Sequence, residues 1–167
     1  PEFISGGEIR LGTQIADTIE ATLTSCNGRL SESGGIYKVR LGAPDAAVLT
    51  ISDDDILSSE EQSFTPFTGI ADTINGVAGK YPNPLEGWAT KALPPVYRPD
   101  YEAQDGGRRL MADVSLDMVT RATQAQRLVQ AALNEGRRAR RHTFSLPPSA
   151  WPLEPGDVIE WSSARNG

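Results

Sequence analysis

The sequence contains very little of the chemistry on which disulfides, metal sites and catalytic triads depend. Its 167 residues include one cysteine, Cys26, and one histidine, His142. A single cysteine cannot form an internal disulfide, and this pair cannot supply a zinc cage or an ordinary Ser-His-Asp triad. We read Cys26 as a small apolar residue on a helix and His142 as a structural residue. The sequence therefore predicts no catalytic residue, no metal ligand and no cofactor.

Long apolar runs are also missing. No stretch approaches the roughly 18 apolar residues that a membrane helix needs, so we expect no stable membrane insertion. Hydrophobic residues make up 38% and charged residues 23% of the chain, which is typical of a globular protein. The 16 glycines and 12 prolines predict many turns and a sizeable strand content. The length suits one domain or two small lobes.

The formal net charge of -6 is unevenly distributed. Residues 1–75 carry 4 basic and 12 acidic side chains, a balance of -8, and residues 76–167 carry 12 and 10, a balance of +2. Such asymmetry can orient neighbouring copies of the chain, because the acidic part of one copy attracts the basic part of another. The alternative is that the charged surface only increases solubility. The acidic turn at 52–57 lacks the spacing of a calcium loop and is read as a solvated turn.

We predict an α+β fold with two lobes. The first lobe, residues 8–66, is expected to place a helix capped by Thr13 on a small antiparallel sheet. Apolar residues at every fourth position form one row on that helix: Ile15, Ile19 and Leu23. The glycines after Ser33 predict a hairpin of 29–33 and 36–41, and 48–51 is read as a third strand.

The second lobe, residues 67–167, is expected to be a larger, mostly antiparallel sheet or partial barrel with one long amphipathic helix at about 121–141. A strand is predicted from Thr68 through Tyr81, and a helix around 71–75 is the alternative that periodicity leaves open. The proline-rich stretch 82–107 is read as an extended surface connection with aromatic contacts.

The clearest strand of the chain is 108–119, because apolar and polar residues alternate along it. Thr120 is expected to cap the long helix that follows. The segment 142–146 is then expected to return beside the strand 108–119, and 157–162 to supply a final strand. Trp161 is read as a core residue and Trp151 as a contact under a loop.

Several short motifs in the sequence occur in the same order as in the proteins of one family. The run INGVAGKYPNP, residues 74–84, resembles the "IN.V.G.Y.(D/N)P" segment of phage tail-tip proteins. Three further segments resemble the sequences of the same family, one before the 74–84 motif and two after it. They are the helix-to-hairpin junction at 27–35, the "A.RLA...L...R" helix at 125–138 and the "PGDvi" strand at 153–159. Each word is weak alone, but the ordered set covers roughly residues 15–162. The chain thus resembles the tail-tip and baseplate hub family, which includes the protein J tip attachment proteins of lambda-like phages and the hubs of siphophages and gene transfer agents.

The resemblance implies a structural role in tail assembly and host attachment. Members of that family form homotrimers around the tail axis and contact other tail proteins, so the implied location is the virion tail tip, with assembly in the bacterial cytoplasm. A whole member is several times longer, so we expect this chain to be an excised segment. The resemblance supplies no catalytic residue.

Six residues are predicted to lie at interfaces. The basic cluster Arg137, Arg138, Arg140 and Arg141 falls in the last turn of the predicted helix, where cations interact favourably with the helix dipole. The overall acidity of the chain argues against nucleic acid as its partner. Trp88 and Tyr97 are the aromatic candidates. An alternative function is a carbohydrate-binding or carbohydrate-cleaving tail module, in which Trp88 or Tyr97 would lie in a cleft with two facing carboxylates.

Overall fold

The computed structural model describes residues 3–42, 45–66, 73–138 and 140–164. The chain divides into two compact units, each made of two separate segments. The first unit combines Pro1–Gly28 with Thr68–Arg138, and the second combines Arg29–Phe67 with Ala139–Gly167. These units differ from the continuous lobes expected from the sequence, because the first helix groups with the later sheet and the C-terminal segment groups with the hairpin.

The first unit is organised around one long central strand, β5 (Gly76–Asn83). Its antiparallel neighbours are β6 (Ala89–Ala92) and β7 (Val96–Tyr97), and its parallel neighbour is β8 (Met111–Ser115). The predicted beginning of this strand, at Thr68 and Ile70, lies outside the described residues. The elements of the unit are α1 (Ile15–Thr24), β5 (Gly76–Asn83), β6 (Ala89–Ala92), β7 (Val96–Tyr97), α2 (Pro99–Gln104), β8 (Met111–Ser115) and α3 (Ala122–Gly136).

The helix α3 packs against β5 and closes the core of the first unit. Its buried apolar residues are Ala125, Leu128, Val129 and Leu133. The close approach depends on Gly79 of β5, because a Cβ atom there would lie 2.5 Å from Cγ2 of Val129. The core also contains Val77, Tyr81, Leu93, Leu116 and Val119. The long amphipathic helix is therefore confirmed, although it ends at Gly136 instead of 141.

Both predicted helix caps are wrong. The residue before α3 is Arg121 and the residue before α1 is Gln14, and neither side chain caps its helix. The row formed by Ile15, Ile19 and Leu23 is also less covered than its spacing suggested, because Ile15 keeps 78% of its surface exposed and Ile19 40%. The amphipathic spacing thus predicted the position of the helix correctly, but the apolar row of the helix is not buried in the described structure.

The extended connection predicted between the central strand and the strand at 108–119 is wrong. That stretch supplies β6, β7 and α2 to the first unit. β6 and β7 border the same edge of β5, and the pairing register shifts by one residue between them, where Pro94 and Pro95 lack N–H groups. The helix α2 begins with Pro99 and carries two acidic residues in its first turn, which are favourable at that helix end.

The described part of the second unit contains three two-stranded sheets. The hairpin predicted around Ser33 is confirmed, with Gly34 and Gly35 both at positive φ. The return of 142–146 beside the strand 108–119 is wrong, because β9 pairs with β4. The pairs are β1 (Arg29–Ser33) with β2 (Ile36–Arg40), β3 (Leu49–Ser52) with β10 (Ile159–Ser162) in parallel, and β4 (Ser63–Thr65) with β9 (Arg141–Thr143). Together the two units give the α+β fold that the sequence predicted.

Candidate interaction sites

The run at 74–84 is a structural segment of the first unit. Asn75 is fully buried, and its amide nitrogen donates to Asp105 Oδ2 at 2.9 Å and to the Arg108 carbonyl at 2.7 Å. Its side-chain oxygen accepts from the Leu110 N–H at 2.8 Å. One asparagine therefore joins the start of β5 to the segment that leads into β8, and this explains why the motif needs an amide there.

The predicted arginine cluster does not behave as one group. Nη1 of Arg137 lies 3.0 Å from Asp105 Oδ2, and its guanidinium lies over the ring of Tyr101. Hydrogen bonding from Asn75, followed by that from Arg137, lowers the pKa of Asp105 below its ordinary value. Arg137 is thus partly buried in the first unit, with 17% of its side chain exposed.

The other three arginines are exposed. Arg138 lies 3.6 Å from Glu135, one helical turn away, and keeps 67% of its side chain exposed. Arg140 and Arg141 belong to the second unit, and Arg141 begins β9. An interface role for all four arginines remains a prediction, and Arg137 differs from the others in its ion pair with Asp105.

The aromatic candidates Trp88 and Tyr97 are both exposed on the first unit, at 55% and 44%. Trp88 adopts a positive φ of 65°, which is unusual for a bulky residue. Its backbone N–H donates to the Asn83 carbonyl at 2.9 Å. The guanidinium of Arg109 lies 4.4 Å from the ring centre of Tyr97. Arg109 therefore covers part of the ring that the carbohydrate alternative needs.

The hairpin β1–β2 presents its apolar face to solvent. Leu30 and Val39 are cross-strand partners on one face, and Tyr37 lies on the same face opposite Glu32. Leu41 follows directly after the end of β2. The exposed fractions are 43% for Leu30, 54% for Val39, 71% for Tyr37 and 58% for Leu41. We call these four residues the outer hairpin face. An antiparallel sheet ordinarily turns its apolar face inward, so this arrangement is inverted.

The polar face of the same hairpin is held by ion pairs to the turn before β10. Arg40 pairs with Asp157 and donates to the Gly156 carbonyl at 3.0 Å, and Lys38 pairs with Glu154. The backbone N–H of Glu154, followed by Arg40, lowers the pKa of Asp157. The Pro-Gly-Asp word of the sequence therefore fixes the hairpin so that its apolar side faces away from the turn.

A pocket of about 260 Å³ lies in the second unit. Phe64 of β4 stacks on His142 of β9 with ring centres 4.2 Å apart, and His142 meets the edge of Trp161 at 4.8 Å. The indole N–H of Trp161 donates to Asp53 at 3.1 Å. The remaining lining residues are Ile56, Ser58, Gln62, Ser63, Thr143 and Phe144. We call this cavity the aromatic pocket.

Sequence reasoning did not find the aromatic pocket, because its residues come from three separated stretches, 53–64, 142–144 and 161, whose pairing is not visible in the sequence. It read Trp161 as a core residue, and the structure leaves this residue half-buried beside the pocket. The prediction for Trp151 is wrong, since 89% of that residue is exposed. The one usable signal was the alternation of His142 and Phe144 in a short strand.

The acidic turn is a helical turn of Asp53–Asp55. Ser52 and Asp55 form a capping box, and this hydrogen bonding lowers the pKa of Asp55. Among the described residues, no group of three or more histidine, cysteine, aspartate or glutamate side chains is arranged to hold a metal ion. Within the same ranges, no helix combines the length and apolarity needed to cross a membrane.

The comparisons with known proteins identify the family. A family model described as "Putative phage tail protein" matches residues 14–167. The chain belongs to this family of phage tail proteins. The resemblance drawn from the ordered sequence words is thus confirmed at the level of a phage tail protein.

One solved structure shows the same fold. A chain in the structure described as "Virion of native gene transfer agent (GTA) particle" matches 95% of this phage tail protein, with a TM-score of 0.72 and 22% sequence identity. The match covers 35% of that chain, so our chain spans about a third of its length. A search of curated proteins finds no significant match.

Proposed function

We propose that the chain is a structural segment of a tail-tip hub, that it works through protein contacts, and that it performs no catalysis. In this proposal three copies surround the tail axis, and further contacts are made with other tail proteins. The segment would take part in tail assembly and host attachment. Its place is the virion tail tip, after assembly in the bacterial cytoplasm.

The observation that supports this proposal most directly is the outer hairpin face. Leu30, Tyr37 and Val39 lie on a two-stranded sheet, and Leu41 follows its second strand. The opposite side of the sheet is held by the ion pairs of Arg40 and Lys38. A two-stranded sheet alone is at best marginally stable, and contiguous exposed apolar patches mark interaction sites. A protein partner that covers this face would stabilise the two-stranded sheet and remove the exposed apolar patch from water.

The exposure of the described part of the chain as a whole favours the same conclusion. Seventeen large apolar side chains are exposed, against ten apolar residues in the buried core. Single exposed apolar residues are ordinary in monomers. A group of four at one hairpin is unusual for a monomer. Burying each of these side chains would gain roughly 1.5–3 kcal/mol.

A matched pair of variants tests the proposal. We expect Val39→Lys to weaken self-association by tenfold or more, roughly 1.4 kcal/mol or more, because a charge replaces an apolar contact. Val48→Lys is the control, since Val48 is 57% exposed against 54% for Val39 but lies outside the hairpin. Light scattering across a concentration series gives both association constants. Equal association of the two variants would contradict a role for the outer hairpin face.

A further inference from the structure

We propose that the aromatic pocket binds a neutral sugar unit. The proposal rests on the pocket alone and does not need the trimer. Its volume of about 260 Å³ lies just below the roughly 300–1,000 Å³ of drug-sized ligand sites. A ligand of about one sugar ring fits this space.

The first argument is the aromatic surface. Phe64 keeps 46% of its surface exposed although one face of its ring lies against His142. Phe64 also lines the pocket, so its aromatic side chain is accessible to a ligand there. The C–H groups of a sugar ring carry partial positive charge and are attracted to the negative face of an aromatic ring.

The second argument is the orientation of Trp161. Asp53 accepts from its indole N–H at 3.1 Å and from the Ala164 N–H at 2.9 Å. The indole is also held by His142 and by Phe144, whose ring centre lies 5.2 Å away. The aromatic wall is thus pre-organised, so little ordering is needed when a ligand binds.

The third argument is the polar part of the lining. The side chains of Ser58, Gln62 and Ser63 make no hydrogen bond to any residue within 3–42, 45–66, 73–138 or 140–164. Hydroxyl and amide groups both donate and accept, as sugar hydroxyls do. The carboxylate of Asp53 beside them disfavours an anionic ligand.

The same polar groups favour a sugar over an apolar side chain from a protein partner. An apolar occupant would cover Ser58, Gln62 and Ser63 without replacing their hydrogen bonds to water, and each covered polar group lowers affinity. A sugar ring satisfies both halves of the lining at once, because it has an apolar face and a polar rim. The sugar could come from an envelope polymer or from a free monosaccharide.

The test is saturation-transfer NMR on the full 167-residue chain. The probes are glucose, galactose, N-acetylglucosamine and its linear trisaccharide. At least one should show transfer to its ring protons, and a tighter trisaccharide would assign the site to a polymer. Phe64→Leu keeps an apolar residue but removes the ring, and Gln62→Ala removes the amide. Each should weaken binding by about tenfold, the loss of one ring or hydrogen-bond contact.

Trp88→Ala is the control, because Trp88 is an exposed aromatic on the other unit, and it should bind as the parent does. Circular dichroism checks that each variant is folded. No transfer to any probe would overturn the proposal. Two further results would also overturn it. One is that Trp88→Ala loses sugar binding while Phe64→Leu keeps it. The other is that Phe64→Leu and Gln62→Ala are both folded and bind the sugar as the parent does. A tail-protein peptide that perturbs Trp161 while the sugars do not would overturn it in favour of a peptide site.

Discussion

Arg137 and Asp105 form an ion pair in which Nη1 of the guanidinium lies 3.1 Å and 3.0 Å from the two carboxylate oxygens. The pair joins the end of α3 to the residue after α2, and Asn75 of the 74–84 run holds the same carboxylate. Arg137, which the sequence predicts at an interface, is thereby tied by its charge to a carboxylate of its own unit.

Replacing Arg137 should therefore destabilise the fold. We expect Arg137→Ala to lower the free energy of unfolding by about 1–3 kcal/mol, because Asp105 would keep its charge with fewer partners. Arg138→Ala is the matched control. Its pair with Glu135 is exposed and longer, so its loss should cost at most about 0.5 kcal/mol. Urea denaturation measures both, and similar losses in the two variants would refute the distinction.

The pH dependence of stability should reflect the lowered pKa of Asp105. A carboxyl whose pKa is lower in the folded chain stabilises it above the unfolded pKa, near 3.8, and loses that contribution as pH falls through the folded pKa. The stability difference between the parent chain and Asp105→Asn should therefore be largest near neutral pH and shrink below about pH 4. Denaturation at pH 7, 5, 4 and 3 measures this, and a difference that grows in acid would reverse the predicted sign.

Gly79 should not tolerate a side chain. A Cβ atom at this position would lie 2.5 Å from Val129 and 3.0 Å from Leu93, so Gly79→Ala should destabilise the first unit by about 1–3 kcal/mol. The control is the double variant Gly79→Ala with Val129→Ala, in which α3 gives up the clashing methyl groups. A double-mutant cycle should show a favourable coupling between the two changes. Strict additivity would mean that the clash is relieved elsewhere.

Local features could be predicted from the sequence, and long-range pairings could not. The hairpin follows from two consecutive glycines at positive φ, and the buried face of α3 follows from helical spacing, since both depend on neighbouring residues. The partner of β9 is β4, which lies far away in sequence, and nothing in a three-residue strand specifies that choice. The helix α2 was missed although Pro99 at its start is a recognised signal.

The candidate sites show the same limit. Arginines in a run predict a basic patch, but only the position of Asp105 decides that Arg137 turns inward. The alternation in β2 predicts one apolar face, yet its direction depends on the ion pairs of Arg40 and Lys38 with residues more than a hundred positions away. The aromatic pocket depends on β4, β9 and β10 meeting, which requires both long-range strand pairings.

The most direct test of the hub account is the mass of the chain in solution, measured by light scattering across a concentration series at low and moderate salt. A trimer of the 18.0 kDa chain that survives moderate salt is the predicted result, because apolar contacts such as the outer hairpin face are not screened. A species that stays at 18.0 kDa at every concentration would contradict the claim that these surfaces hold the copies together.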